Sequence, residues 1–161
     1  MDAYIEIDGK RAKLTEEQLK ALGLEPEKKN PFERADIYHV IGESGFVDKF
    51  HDNHDDTDDD FFKIANYCTD KELMEQRALH ETLNRLLWRY SMEHGGDEIN
   101  WDDNTTKKWH ILFDSITQQW DINVSYRQKT MMPYFATSKT ANDAIEEIIK
   151  PFMAEHPEFK W

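Results

Sequence analysis

Along QWDINVSY the apolar residues Trp120, Ile122, Val124 and Tyr126 alternate with Asp121, Asn123 and Ser125, the period of a strand with one face in water. Trp109, Ile111 and Phe113 alternate likewise in KWHILFD. Elsewhere the period lengthens to that of a helix. Leu79, Leu83, Leu86, Leu87 and Tyr90 form one stripe, and Ala141, Ala144, Ile145, Ile148, Ile149, Phe152 and Met153 form another, opposite Asn142, Asp143, Glu146 and Glu147. Thr69-x-x-Glu72 has capping-box spacing and Gly95-Gly96 is a terminator, which predicts a helix from Asp70 to about His94. The second stripe predicts a helix from about Lys139 to Ala154, kinked or broken at Pro151, whose missing N–H and ring cost about 3 kcal/mol inside a helix.

The same order of elements is expected twice. The first pass is IYHVI, a Gly42-Glu43-Ser44-Gly45 turn, FVDKF, an acidic loop, FFKIANYCT and the first long helix. The second is KWHILFD, a Ser115 to Gln118 turn, QWDINVSY, MMPYFAT and the last helix. Each pass is β-β-β-α, so the predicted fold class is α+β: a mostly antiparallel sheet from two three-stranded pieces, backed by two long helices. Ahead of it, YIEI and RAKL flank Asp8-Gly9, and Thr15-x-x-Gln18 opens a short helix holding Leu19, Leu22 and Leu24 around Gly23. The expected organisation is a β-β-α appendage over 1–25, a connector over 26–35 with Pro26 and Pro31, and a core over 36–161 with units 36–96 and 106–155.

Composition narrows the setting. With 39% hydrophobic residues, 161 residues suffice for one core, so the low mean hydropathy reflects a charged surface. The single Cys68 excludes an intrachain disulfide and reads as a buried thiol. No apolar leader or spanning stretch opens the chain, and a cytoplasmic, membrane-free protein is expected. The net charge of −13 repels phosphate backbones and favours basic surfaces. No direct nucleic-acid partner is therefore expected, despite Lys107, Lys108, Arg127 and Lys129 as a local basic patch.

Three runs, IEIDGKRAKLTEEQLKALGLE…KKNPFER, NYCTDKELMEQRA…LNRLL and KKWHILFD…YFATSKTANDAIEEI, resemble small acidic hypothetical proteins of phages and prophages from low-GC Gram-positive bacteria. Those are similar in an IDGK…LT-EEQ start, an N-Y-F-T strand end before a Glu- and Ala-rich helix, and a YF-S…A…AI close; Cys68 stands where they carry Phe. The resemblance covers most of the chain and rests on hairpin, cap and strand-to-helix junctions. It implies a mobile-element setting inside a host bacterial cell, where small acidic proteins act on host defence or nucleic-acid enzymes, and it assigns no catalytic residue.

The stretch FHDNHDDTDDDFF holds Asp52, Asp55, Asp56, Asp58, Asp59 and Asp60 with His51 and His54. As a calcium loop it lacks the glycine and the downstream bidentate glutamate. There is no H-E-x-x-H, glycine-rich phosphate loop or G-x-S-x-G. Neither metal nor cofactor is expected, and no enzyme. The stretch is expected to be a solvated loop contributing little to the core, whose carboxylates imitate a run of phosphates. Asp97, Glu98, Asp102 and Asp103 are expected to extend the array, with an exposed Trp101 as anchor. Trp88, Trp109 and Trp120 sit at periodic positions and are expected in the core. These residues together predict a non-enzymatic, anti-CRISPR-like inhibitor binding a basic, nucleic-acid-handling host protein such as a Cas9-type nuclease. The alternatives are a phage recombination or replication accessory that binds nucleic acid and a metal-dependent hydrolase.

Overall fold

The strands form where the alternation places them. The structure, a computed structural model, describes residues 4–7, 9–23 and 30–160. It divides into two compact units, Met1–Glu33 and Arg34–Trp161. Asp8, Leu24, Pro26 and Trp161 lie outside the described residues.

In the first unit, β1 (Tyr4–Ile7) and β2 (Lys10–Lys13) pair antiparallel from Tyr4↔Lys13 to Ile7↔Lys10. The Arg11 guanidinium lies 4.1 Å from the Tyr4 ring centroid. Helix α1 (Glu16–Ala21) starts with the expected capping box: Thr15 Oγ1 accepts from Gln18 N, and Gln18 Oε1 accepts from Thr15 N.

In the second unit, β3 (Ile37–Ile41) pairs antiparallel with β4 (Val47–His51). Gly45 makes the turn between them at φ +85°, where a side chain is strained and a Cβ would also press on Thr82 Oγ1 at 3.3 Å. A helix α2 (Asp56–Lys63) follows, then α3 (Lys71–Glu93), β5 (Lys108–Asp114), β6 (Gln119–Ser125), α4 (Ser138–Ala144), a π-helical turn (Ile145–Ile149) and α5 (Lys150–Glu155). The β5–β6 register runs from Lys108↔Ser125 to Asp114↔Gln119, and burial alternates along β6 from Gln119 to Val124, after which the pattern inverts: Ser125 is buried and Tyr126 exposed. Among the described residues no helix is long and apolar enough to cross a membrane.

The fold is mixed α and β, but the strands make three separate two-stranded antiparallel sheets and not one. Neither expected third strand extends. FFKIANYCT begins inside α2, whose acidic first turn suits the positive end of a helix, and only Cys68 pairs, with His39. In MMPYFAT only Phe135 pairs, with Trp109. Each is a reciprocal hydrogen-bond pair (His39 N to Cys68 O 2.7 Å, Cys68 N to His39 O 3.1 Å; Trp109 N to Phe135 O 3.0 Å, Phe135 N to Trp109 O 2.7 Å).

The expected cap of α3 moves by one residue: Asp70, not Thr69, is the N-cap, accepting from Leu73 N at 3.1 Å. At Pro151 the helix does not break. Lys150 N donates to Ile145 O, five residues back, so the turn before the proline widens and relieves the clash that an α-helical carbonyl would make with its ring. Leu83, Leu87 and Tyr90 of α3 bury against Ile111, Phe135, Ala144, Ile145, Ile149 and Phe152 in the main core. Tyr38, Val40 and Tyr67 form a second cluster. Trp109 and Trp120 are partly buried against the main core, but Trp88 is 59% exposed on the outer face of α3, contrary to the expectation that it is core.

Leu83→Ala, at a fully buried site, is expected to lower the unfolding free energy by about 2–5 kcal/mol in urea titration. Trp88→Ala should change it by less than about 0.5 kcal/mol, as surface substitutions do.

Candidate functional site

The acidic stretch is not a loop. Its backbone turns helical after Asp55, whose carboxylate accepts from Thr57 N (2.9 Å) and Asp58 N (3.0 Å) as the N-cap of α2. Asp58 returns the bond, accepting from Asp55 N at 3.3 Å, and also accepts from Asn53 N at 2.7 Å and from the Tyr38 hydroxyl. With those donors it is buried, 3% exposed. Asp52 is equally enclosed, its side chain 1% exposed. It accepts from Arg34 Nη1 at 3.3 Å and from His54 N at 2.9 Å, and the Tyr67 hydroxyl lies 3.0 Å away. That hydroxyl also bridges Ala35, accepting from its N–H at 2.8 Å and lying 2.9 Å from its carbonyl.

Two stacked tyrosines thus carry the two buried carboxylates. The Tyr38 and Tyr67 rings lie 4.1 Å apart at 12°. Arg34 ties the network to α2 through a second bond to Asp59 and sits 5.0 Å from the Phe62 ring centroid. The Tyr38 hydroxyl bond, foremost, holds the Asp58 carboxyl below its ordinary range. Burial, then the bond to Asp58, pushes Tyr38 well up, and burial with Asp52 raises Tyr67.

The six aspartates therefore split by role. Asp52 and Asp58 are interior structure, Asp59 is half-buried on Arg34, Asp55 and Asp56 are exposed at the start of α2, and Asp60 is exposed in its middle with Lys63 at 3.3 Å. The expectation of a solvated loop irrelevant to the core fails because two of its carboxylates collect buried hydrogen-bond donors.

The second predicted group has its own architecture. Asp97 and Glu98 are exposed on a 3-10 turn, Gly96–Glu98. Gly96 has to be glycine, since a Cβ there would lie 2.1 Å from Ser91 Oγ and 2.7 Å from Ser91 O. Asp102 is exposed, but Trp101 is only half-exposed and not the bare anchor expected. Its ring meets Tyr134 edge-on at 4.8 Å, with the Lys129 ammonium 4.6 Å and the Lys108 ammonium 5.6 Å from its centroid.

Lys108 is fully buried and leaves the expected basic patch; its ammonium donates to Thr106 O (3.0 Å), Tyr126 O (3.1 Å) and Asp103 O. Asp103 accepts from Thr105 Oγ1 (2.6 Å), Thr106 Oγ1 and Thr105 N (2.7 Å), which push its carboxyl well below the usual range. Asp103 is thus a loop staple. Among the described residues no hydrogen bond or ion pair joins this loop to α2.

Cys68 is buried, its thiol raised by desolvation and donating to Asp70 O at 3.3 Å. Among the described residues no group of three or more His, Cys, Asp or Glu side chains is placed to hold a metal ion. Sequence reasoning missed Arg34, Tyr38 and Tyr67, whose polar ends give no periodic signal. The available hint was a tyrosine at the apolar position of IYHVI, since a buried tyrosine requires a partner for its hydroxyl. No protein-family model matches the chain, and neither a curated protein nor a solved structure matches it.

Asp58→Asn is expected to lower the thermal unfolding midpoint clearly, because a neutral amide replaces an acceptor of three hydrogen bonds, while Asp56→Asn leaves it near wild type. Differential scanning calorimetry of the two variants decides this. The pH profile should fall on both sides. Asp58, Asp103 and Asp114 have lowered values, so their contribution is present above the ordinary 3.8 and lost as the pH falls below it. Tyr38, Tyr67 and Tyr90 have raised values, so theirs is present below the ordinary 10.0 and lost as the pH rises past it. Urea midpoints across pH should show both limbs, with a shallower alkaline limb in Tyr38→Phe.

Proposed function

We propose that this chain is a non-enzymatic, acidic binding protein that docks on a positively charged surface of a nucleic-acid-handling protein and so blocks access to it. The observation that carries this reading is where the acid excess lies. Residues 34–161 hold 25 acidic against 14 basic residues, a net of −11. Within that unit, Asp55 and Asp56 at the start of α2 and Asp60 in its middle stand exposed on a helix that the buried Asp52, Asp58, Arg34 and tyrosine network anchors. Carboxylates fixed before encounter lose little freedom on docking and steer a basic partner at long range. The phosphate-mimicking array is accordingly smaller than the sequence suggested, limited to the exposed carboxylates of α2 with Asp97, Glu98 and Asp102 as separate contributors.

The partner class that fits is a protein with a long basic channel, such as a Cas9-type nuclease. Its setting is the cytoplasm of a host bacterium, as the likeness to small acidic phage proteins implies. In the same reading, the recurring order of hairpin, bridge pair and helix marks two copies of one β-β-β-α plan whose third strand has shrunk to a single residue pair.

Incubated with a purified Cas9-type nuclease loaded with guide RNA, the protein is expected to reduce binding of target DNA in a gel-shift assay. The reduction should weaken as salt is raised across the range that screens surface charge, about 50 to 200 mM. Retardation of DNA by the protein alone would favour the nucleic-acid-binding alternative, and unchanged DNA binding by the nuclease removes this target class.

A further inference from the structure

Away from α2, the second unit contains a groove of about 490 Å³ between the β3–β4 turn, the first half of α3 and the residues after α5, a size in the range of peptide and small-molecule sites. Its floor is apolar, formed by Val47, Ala78 and Leu79, and Phe46 stands at its edge with 75% of its surface exposed. Its rim carries Glu72, Glu75 and Glu158 against the ammonium of Lys160 and the His156 ring, whose Nδ1 lies 3.3 Å from Glu158.

The chain itself shows what this wall of α3 recognises. The Gln76 side chain reads the backbone that follows a turn, donating from Nε2 to Glu158 O at 2.9 Å and accepting at Oε1 from Lys160 N at 2.8 Å. Between those two bonds Phe159 turns inward, 5% exposed, edge-on to Phe152 at 5.5 Å, while the Lys160 ammonium reaches Glu72 at 3.2 Å. A segment with one apolar and one basic side chain is therefore already held along one side of the groove.

We propose that the open remainder of the groove binds a second such segment, a positively charged peptide stretch of the partner carrying alternating apolar and basic side chains. An apolar side chain of the partner would rest on Val47, Ala78, Leu79 and Phe46, and a lysine or arginine on Glu72 and Glu75. Those two glutamates are three residues apart and so share one helix face. Glu75 already holds Lys71 at 2.5 Å and Glu72 holds Lys160 at 3.2 Å, but all four groups are about half exposed or more, and exposed pairs of this kind exchange partners at little cost. This inference rests on the reading above that the partner is basic, and it moves the anchoring contact from the acidic start of α2 to α3.

The test uses a fluorescent, acetylated and amidated short peptide of alternating leucine and arginine, titrated into the full chain by anisotropy and by amide NMR. Saturable binding is expected, with shifts concentrated at Val47, Glu75 and Leu79. The triple change Phe46→Ala, Glu72→Gln, Glu75→Gln should weaken it by about tenfold or more, since it removes the apolar edge and both charges. Phe46→Ala alone, at an exposed position, keeps the test valid if the triple variant unfolds, and should weaken binding with an unchanged thermal midpoint.

Equal binding of a leucine and glutamate peptide, shifts centred on Asp55, Asp56 and Asp60, or wild-type affinity in the variants would overturn the groove. So would self-association of the chain through this face in sedimentation. In the nuclease assay, wild-type inhibition that persists in the Phe46→Ala variant removes the groove and leaves the inhibitor reading intact. Loss of inhibition in wild type itself removes that reading, while the peptide titration still decides the groove.

Discussion

Burial of the inner face of α3 is the contact on which the second unit depends. At 23 residues it is the longest element described, and β3, β4, the 3-10 turn, α4 and the π-helical turn all pack against it. An isolated two-stranded sheet is marginally stable at best in water, and α4 and α5 have 7 and 6 residues, below the roughly 12–15 at which an isolated helix becomes even marginal. Each of these pieces therefore owes its form to the apolar stripe it covers. Fully burying a leucine contributes about 1.5–3 kcal/mol, and Leu83 and Leu87 are both at most 2% exposed. That exceeds what any exposed ion pair along the same helix supplies, about 0–1 kcal/mol.

The strands and helices that repeat a period were legible because periodicity reports burial directly. QWDINVSY and KWHILFD occupy β6 and β5 almost residue for residue, and the stripe from Leu79 to Tyr90 faces the core. The elements misread from sequence are those whose form is decided by a single partner. Six aspartates read as loop because their side chains favour turns, yet Asp55 and Asp58 form the reciprocal cap that starts a helix. Cys68 and Phe135 sit in runs that look like strands, but only one residue of each finds a backbone to pair with. Trp88 follows the helical pattern numerically but falls beside the stripe, and its ring faces water.

The candidate site illustrates how a carboxylate's role follows from its donors. Asp58 and Asp56 are two residues apart on one helix and chemically identical, but only Asp58 receives the Tyr38 hydroxyl and two backbone N–H groups. A buried ion is costly unless each of its lone pairs is met. Here a stacked tyrosine pair meets that demand, so the same arrangement that hides two charges fixes the position of those left outside. Lys108 is the cationic counterpart, an ammonium enclosed by carbonyl oxygens with no carboxylate among its bonds.

The π-helical turn before Pro151 bears on how the molecule comes apart. Proline supplies no N–H to lock the following turn, and the wider turn ahead of it leaves the helix with a built-in joint between α4 and α5. Beyond that joint, the chain is retained by Phe152 and Phe159 in the core, by the amide of Gln76 and the ring of His80 on its backbone, and by Glu72 on the Lys160 ammonium. Opening at the joint would draw Phe152 and Phe159 out of the core they share with Leu83 and Ile111. Residues 150–160 are thus released only when the core gives up two aromatic side chains, and their amide exchange reports how tightly that core is closed.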